Sequence, residues 1–133
     1  MTALAQAAIR EVEDLHRHFV ELFTGRSRDI SRCAAAFAAE FEMVTPAGKA
    51  LDRLQTLALL SAAKAAPDFA ITIQSPRVVW QGADKALLQY VEQQYRDGRV
   101  TRRLSSALLI ADREAPNGVV WRYLHETWMQ DAG

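Results

Sequence analysis

The sequence predicts an α+β fold with helices first and a curved antiparallel sheet after. Three observations carry this. Apolar residues recur at helical spacing from Leu4 to Phe23. After Pro67 the chain becomes β-branched, aromatic and alternating. Gly82, Asp97-Gly98 and Asn117-Gly118 divide that second part into successive strands.

The first helix has Leu4, Ala8, Val12, Leu15, Phe19 and Leu22 on one stripe, widened by Ile9, His16, Val20 and Phe23. Gly25 is its expected stop. Ser27 is the expected N-cap of a short second helix with Ile30, Cys33, Ala34 and Phe37 inward. Glu40 to Thr45 reads as a short strand closed by Pro46-Ala47-Gly48. Leu51 to Ala66 reads as a third helix, ended by Pro67. Four antiparallel strands then follow, over Phe69 to Ser75, Ala86 to Arg96, Val100 to Ile110 and Val119 to Met129.

Asp97-Gly98 is a strong two-residue hairpin signal. A turn there sets Arg96 opposite Arg99, Gln94 opposite Thr101, Glu92 opposite Arg103 and Tyr90 opposite Ser105, all on one face. The other face carries Val91, Gln93, Tyr95, Arg102, Leu104, Ser106 and Leu108, and its Leu104, Leu108 and Ile110 are too apolar for open water. The helices cover one face, and a second copy of the chain is the economical cover for the other.

Sixteen basic and sixteen acidic residues give a formal net charge of zero over 133 residues. That length fits one domain, residues 1–133. No basic stripe points to nucleic acid, and no apolar run approaches the ~20 residues of a membrane span. Charges at Arg10, Glu11, Glu13 and Asp14 break any signal-peptide core, so a cytoplasmic location is expected. Cys33 is the sole cysteine, expected buried as a small hydrophobe. His16 and His18 diverge on their helix, and no His, Asp or Glu group has metal-ligand spacing, so neither metal nor cofactor is expected.

The order of elements resembles the nuclear transport factor 2-like superfamily along nearly the whole chain. That superfamily includes ketosteroid isomerase, SnoaL-like cyclases and the calcium/calmodulin kinase association domain. Phe41-Glu-Met-Val-Thr-Pro-Ala-Gly, Gln94-Tyr-Arg-Asp-Gly-Arg and Trp121-Arg-Tyr-Leu-His-Glu-Thr carry the resemblance, closest to its SnoaL-like and association-domain-like members. It implies three helices packed in the concave face of a strongly curved sheet with a short first strand and four long ones. It also implies a concave pocket and a homodimer through the convex face. The resemblance sets Thr45 where ketosteroid isomerase has its catalytic Asp, and a neutral hydroxyl cannot take a carbon-bound proton near neutral pH. It further implies that Phe41, Met43 and Thr45 face the pocket, with Trp121, Tyr123, His125 and Thr127 from the last strand beside Arg103, Ser105 and Ala107.

Glu92 and Arg103 then have two readings: a carboxylate-binding pair, or an ion pair that only satisfies two buried charges. His125 reads as a general base or as a satisfied wall residue. His16 reads as core filling, with reach into the pocket as the alternative. The expected site joins Glu92 and His125 as catalytic candidates to Arg103, Tyr90, Ser105, Tyr123, Trp121, Thr45, Phe41 and Met43 as ligand-binding candidates. The expected function is a small-molecule pocket for a carbonyl or carboxylate compound, with cofactor-free isomerase, cyclase or lyase chemistry. The alternative is a non-enzymatic dimerisation or accessory domain.

Overall fold

The computed structural model describes residues 1–130. Helix α1 (Ala3–Phe23) begins at Thr2, whose side chain accepts the Ala5 N–H at 3.1 Å. Its inward stripe is Ala5, Ala8, Val12, Leu15 and Leu22, with Glu11 and His16 buried among them. Gly25 ends it at φ +80°, and a Cβ there would meet Ala65 at 2.9 Å, so both backbone and space require glycine.

Two expectations in the helical half are corrected. The short helix α2 (Ser31–Ala36) is not capped by Ser27. Asp29 accepts the Ser31 N–H at 2.9 Å, and Ser27 instead accepts the N–H of Asp29. The helix expected over Leu51 to Ala66 is only α3 (Arg53–Ser61). Asp52 and Gln55 form a capping box that fixes its start at Arg53. Leu51 belongs to strand β2 (Ala50–Asp52), paired with Met43 of β1 (Phe37–Val44).

The remaining strands are β3 (Ala70–Gln81), β4 (Lys85–Arg96), β5 (Arg99–Ala111) and β6 (Val119–Trp128). β3 runs past its expected end because Ser75, at φ +53°, and Pro76 form an irregularity that an edge strand tolerates. The six strands form one sheet in the order β2-β1-β6-β5-β4-β3. β1 and β6 are parallel and every other pair is antiparallel. The sheet curves, and α1 lies across β3, β4 and β6 in its hollow.

The hairpin register is the expected one. Asp97 and Gly98 sit at φ +52° and +79°, and Arg96–Arg99, Gln94–Thr101, Glu92–Arg103 and Tyr90–Ser105 are paired. The core fills the space between α1 and the sheet with Val12, Leu15, Phe41, Leu88, Tyr90, Leu109 and Trp121. No helix among the described residues is long and apolar enough to cross a membrane.

Candidate functional site

Between α1, α3 and the concave face lies a cavity of about 130 Å³. Its apolar wall is Leu15, Phe19, Phe37, Phe41, Met43, Leu60, Trp121 and Leu124. Phe37 and Phe41 stack at 4.3 Å between ring centres. Four ionisable side chains enter this apolar space: His16 from α1, Glu92 from β4, Arg103 from β5 and Glu126 from β6.

His16 is held from both ends. Its Nδ1 lies 2.6 Å from the Val12 carbonyl and its Nε2 lies 3.0 Å from Glu92 Oε1. The carbonyl only accepts, so Nδ1 carries a proton, and a charge on the ring then pairs with Glu92. Burial opposes that charge, but Glu92 and the Val12 carbonyl outweigh it and raise the His16 pKa. Burial likewise opposes ionisation of Glu92. The His16 charge and hydrogen bonds from His16 and Gln94, the latter at 2.6 Å, overcome it and hold the carboxyl down at about 2.

Glu126 has the opposite balance. Burial and the nearby Glu92 charge raise its pKa to about 7, against the weaker pull of Arg103 and His16. Arg103 Nη1 reaches Glu126 Oε1 at 3.5 Å, and its guanidinium lies 4.7 Å above the Trp128 ring. Arg103 Nε and the fully buried hydroxyls of Tyr90 and Ser105 have no hydrogen-bond partner. Tyr90 packs edge-on against His16, 5.5 Å between ring centres, and burial first of all raises its phenol well above its ordinary value.

A second network fixes the far side of the wall. Glu11, fully buried, accepts from Arg32 at 2.6 Å, from Asn117 at 2.9 Å and from the Trp121 indole N–H at 3.0 Å. Trp121 is thereby pinned in the wall by a charged acceptor.

The structure brings Glu92, Arg103, Trp121, Phe41 and Met43 together around the cavity, with Tyr90 and Ser105 buried in the sheet behind it. It corrects the placement of the others. Leu108 pairs with Tyr123 but Leu109 pairs with Trp121, so Arg122 is an extra residue that reverses the alternation of β6. Leu124 and Glu126 therefore turn inward, while Tyr123, His125 and Thr127 turn to the convex face. His125 is exposed, its Nδ1 3.4 Å from the Tyr123 hydroxyl. Thr45 lies in the β1–β2 turn, where its hydroxyl accepts the Lys49 N–H at 3.1 Å, away from the cavity. The expected Glu92–Arg103 ion pair is replaced by two others, Glu92–His16 and Arg103–Glu126.

Glu126 and the role of His16 were missed from sequence. The signal for Glu126 is a change of parity: Val119 and Trp121 are apolar at odd positions and Leu124 at an even one, which demands a bulge between them. Among the described residues no group of three or more His, Cys, Asp or Glu is arranged to hold a metal ion.

No family model and no curated protein matches the chain. Solved structures do. An NTF-2-like protein of unknown function from Pseudomonas aeruginosa is 31% identical, with a TM-score of 0.84 over 93% of this chain and 99% of that one. The CaMKII hub of S. rosetta has a TM-score of 0.79 at 14% identity, over 94% of this chain and 96% of that one. A domain of unknown function with a cystatin-like fold from Nostoc punctiforme has a TM-score of 0.72 at 18% identity, over 98% of this chain and 81% of that one.

Proposed function

The chain belongs to the nuclear transport factor 2-like family, and from that premise we propose that its cavity binds a compact apolar molecule carrying a carbonyl or carboxylate and exchanges a proton with it. The observation that carries this reading is Glu126, a buried carboxyl with a pKa of about 7 facing an apolar cavity beside Arg103. A carboxyl with that pKa is available as acid and as base at neutral pH. Glu92, held at about 2, is too weak a base to take a carbon-bound proton, so its part is to hold His16 charged.

In this reading the ligand oxygen sits on Arg103, which stabilises charge developing there. With a carbonyl ligand, ionised Glu126 takes a proton from the carbon beside the carbonyl and returns it to another carbon, an isomerisation that needs no cofactor; a carboxylate ligand binds with Glu126 protonated and so blocks that step. The cavity size limits the ligand. An apolar cavity of about 150 Å³ holds benzene, and about 130 Å³ is available here, so a small ring or a short branched chain fits and a steroid does not. An unsaturated ketosteroid should show no turnover above background, a second reason beside Thr45 lying outside the cavity.

A carboxylate on Arg103 competes with ionised Glu126, so its binding takes up a proton. Benzoate titrated by calorimetry should bind tighter at about pH 6 than at about pH 8, with up to a tenfold change per pH unit above the Glu126 pKa. Glu126→Gln should remove that dependence. A pH-independent affinity in the native protein would overturn the reading.

A second reading concerns the convex face. Trp80, Leu87, Leu108 and Tyr123 pair in one row across four strands. We propose that this row is the self-association surface of a homodimer, with or without catalysis in the cavity.

A further inference from the structure

The arginines of the β4–β5 hairpin stand in an arrangement that calls for an anion. Arg96 and Arg99 are direct cross-strand partners on the face that also carries Arg103. Like charges directly opposite on a sheet repel, and among the described residues neither Arg96 nor Arg99 has an ion-pair partner. Among the described residues Asp97 is the one acidic residue lining the outer cleft with Arg96, Arg99, Arg103 and Trp128, and that cleft has a volume of about 450 Å³.

Two features tie this cleft to the cavity. Arg103 and Gln94, diagonal neighbours on β5 and β4, line both, so these two side chains stand between them. Arg96 is also fixed in place: its guanidinium lies 4.7 Å above the Phe69 ring and 5.7 Å from Phe23, itself a cavity residue. A guanidinium stacked on two rings is held in position at low entropic cost and keeps its N–H fork for an oxyanion. By strand geometry Arg99 and Arg103 lie roughly 13 Å apart along β5, within reach of one extended small molecule.

We infer that the cleft is a second subsite, taking a terminal phosphate on Arg96 and Arg99, so that the natural ligand is an apolar body with a phosphorylated tail. Paired guanidinium forks match a phosphate dianion better than they match a single carboxylate. The inference deepens the cavity reading and rests on it for the position of the apolar body.

The test uses three probes on the whole protein by calorimetry: benzoate for the cavity, inorganic phosphate for the cleft, and 4-phenylbutyl phosphate for both. The joined probe should bind at least tenfold tighter than either part, and Arg99→Gln should remove that gain while leaving benzoate unchanged. Arg96→Gln should remove the gain as well. Among the described residues Arg99 stacks on no ring, so Arg99→Gln keeps the test readable if loss of the Arg96 stacking impairs folding. A joined probe no tighter than benzoate, or one unaffected by both substitutions, overturns the second subsite. Phosphate binding lost in Arg99→Gln while benzoate binds nowhere supports the cleft and overturns the cavity reading instead.

Discussion

Glu126 and Glu92 are two carboxyls in one cavity whose surroundings push them in opposite directions, and each direction carries a sign in stability. The folded pKa of Glu126, about 7, lies above its ordinary 4.5. The stability it contributes is complete below about pH 4.5 and is lost as pH rises through 7. His16, also raised, acts in the same sense from its ordinary 6.5 upward. Glu92, lowered from 4.5 to about 2, contributes stability that is lost only as pH falls through that range. Urea unfolding should therefore show the native protein weaker at about pH 8 than at about pH 5. Glu126→Gln should flatten most of that loss and exceed the native protein at pH 8 by about 1–3 kcal/mol. A native protein equally stable at both values would contradict the burial argument. His16→Ala should be far more damaging. It leaves Glu92, 4% exposed, with Gln94 as its remaining side-chain partner, and removing half of a buried pair costs about 3–5 kcal/mol.

The β4–β5 hairpin and β6 differ in how far they could be read from sequence, for a physical reason. Asp97-Gly98 demands one turn type, and that turn fixes every cross-strand pair back to Tyr90 and Ser105. The faces of β4 and β5 were therefore legible residue by residue. β6 carries its extra residue at Arg122, where no glycine or proline marks it. The family resemblance implies Trp121 in the pocket, and an unbroken strand would carry Tyr123, His125 and Thr127 in with it and leave Glu126 out. The same limit applies to His16: its place on the stripe was readable, but its contact with Glu92 depends on how α1 lies across the sheet. Capping chemistry was present in Asp52 and Gln55 and went unread beneath the Leu- and Ala-rich run that follows. The bulge yields its own prediction. His125→Ala, on the convex side, should leave benzoate affinity as it was. A loss of affinity in that variant would mean that β6 keeps its alternation through Arg122.

The rows of the convex face differ sharply in character. Trp80, Leu87, Leu108 and Tyr123 make one apolar row, and Gln74, Val91, Leu104 and Thr127 make another of mixed character. Between them run Arg77, Gln89, Ser106 and His125, linked by hydrogen bonds from Arg77 to Gln89 at 2.9 Å and from Gln89 to Ser106 at 3.4 Å. Trp80 is 54% exposed and Leu104 37%. Helix α1 lies on the opposite face, and among the described residues no helix covers these rows. The polar row is satisfied in part by its own hydrogen bonds, and the exposed Arg77 guanidinium keeps donors for the rim of an interface. A second copy placed on this face buries Leu108 and Tyr123 of the inner strands β5 and β6, with Trp80 toward the β3 edge, and a standard interface takes about 800 Å² from each partner. With a formal net charge of zero, the chain has little long-range repulsion to oppose that approach. Sedimentation velocity should give a dimer at micromolar concentration. Leu104→Glu and Leu108→Glu should each shift it toward monomer, because each buries an unpaired charge costing several kcal/mol. Glu126→Gln, in the concave cavity, should leave the dimer intact. A monomer at every concentration, or a dimer indifferent to both glutamates, would sink the convex-face interface while leaving the cavity chemistry standing.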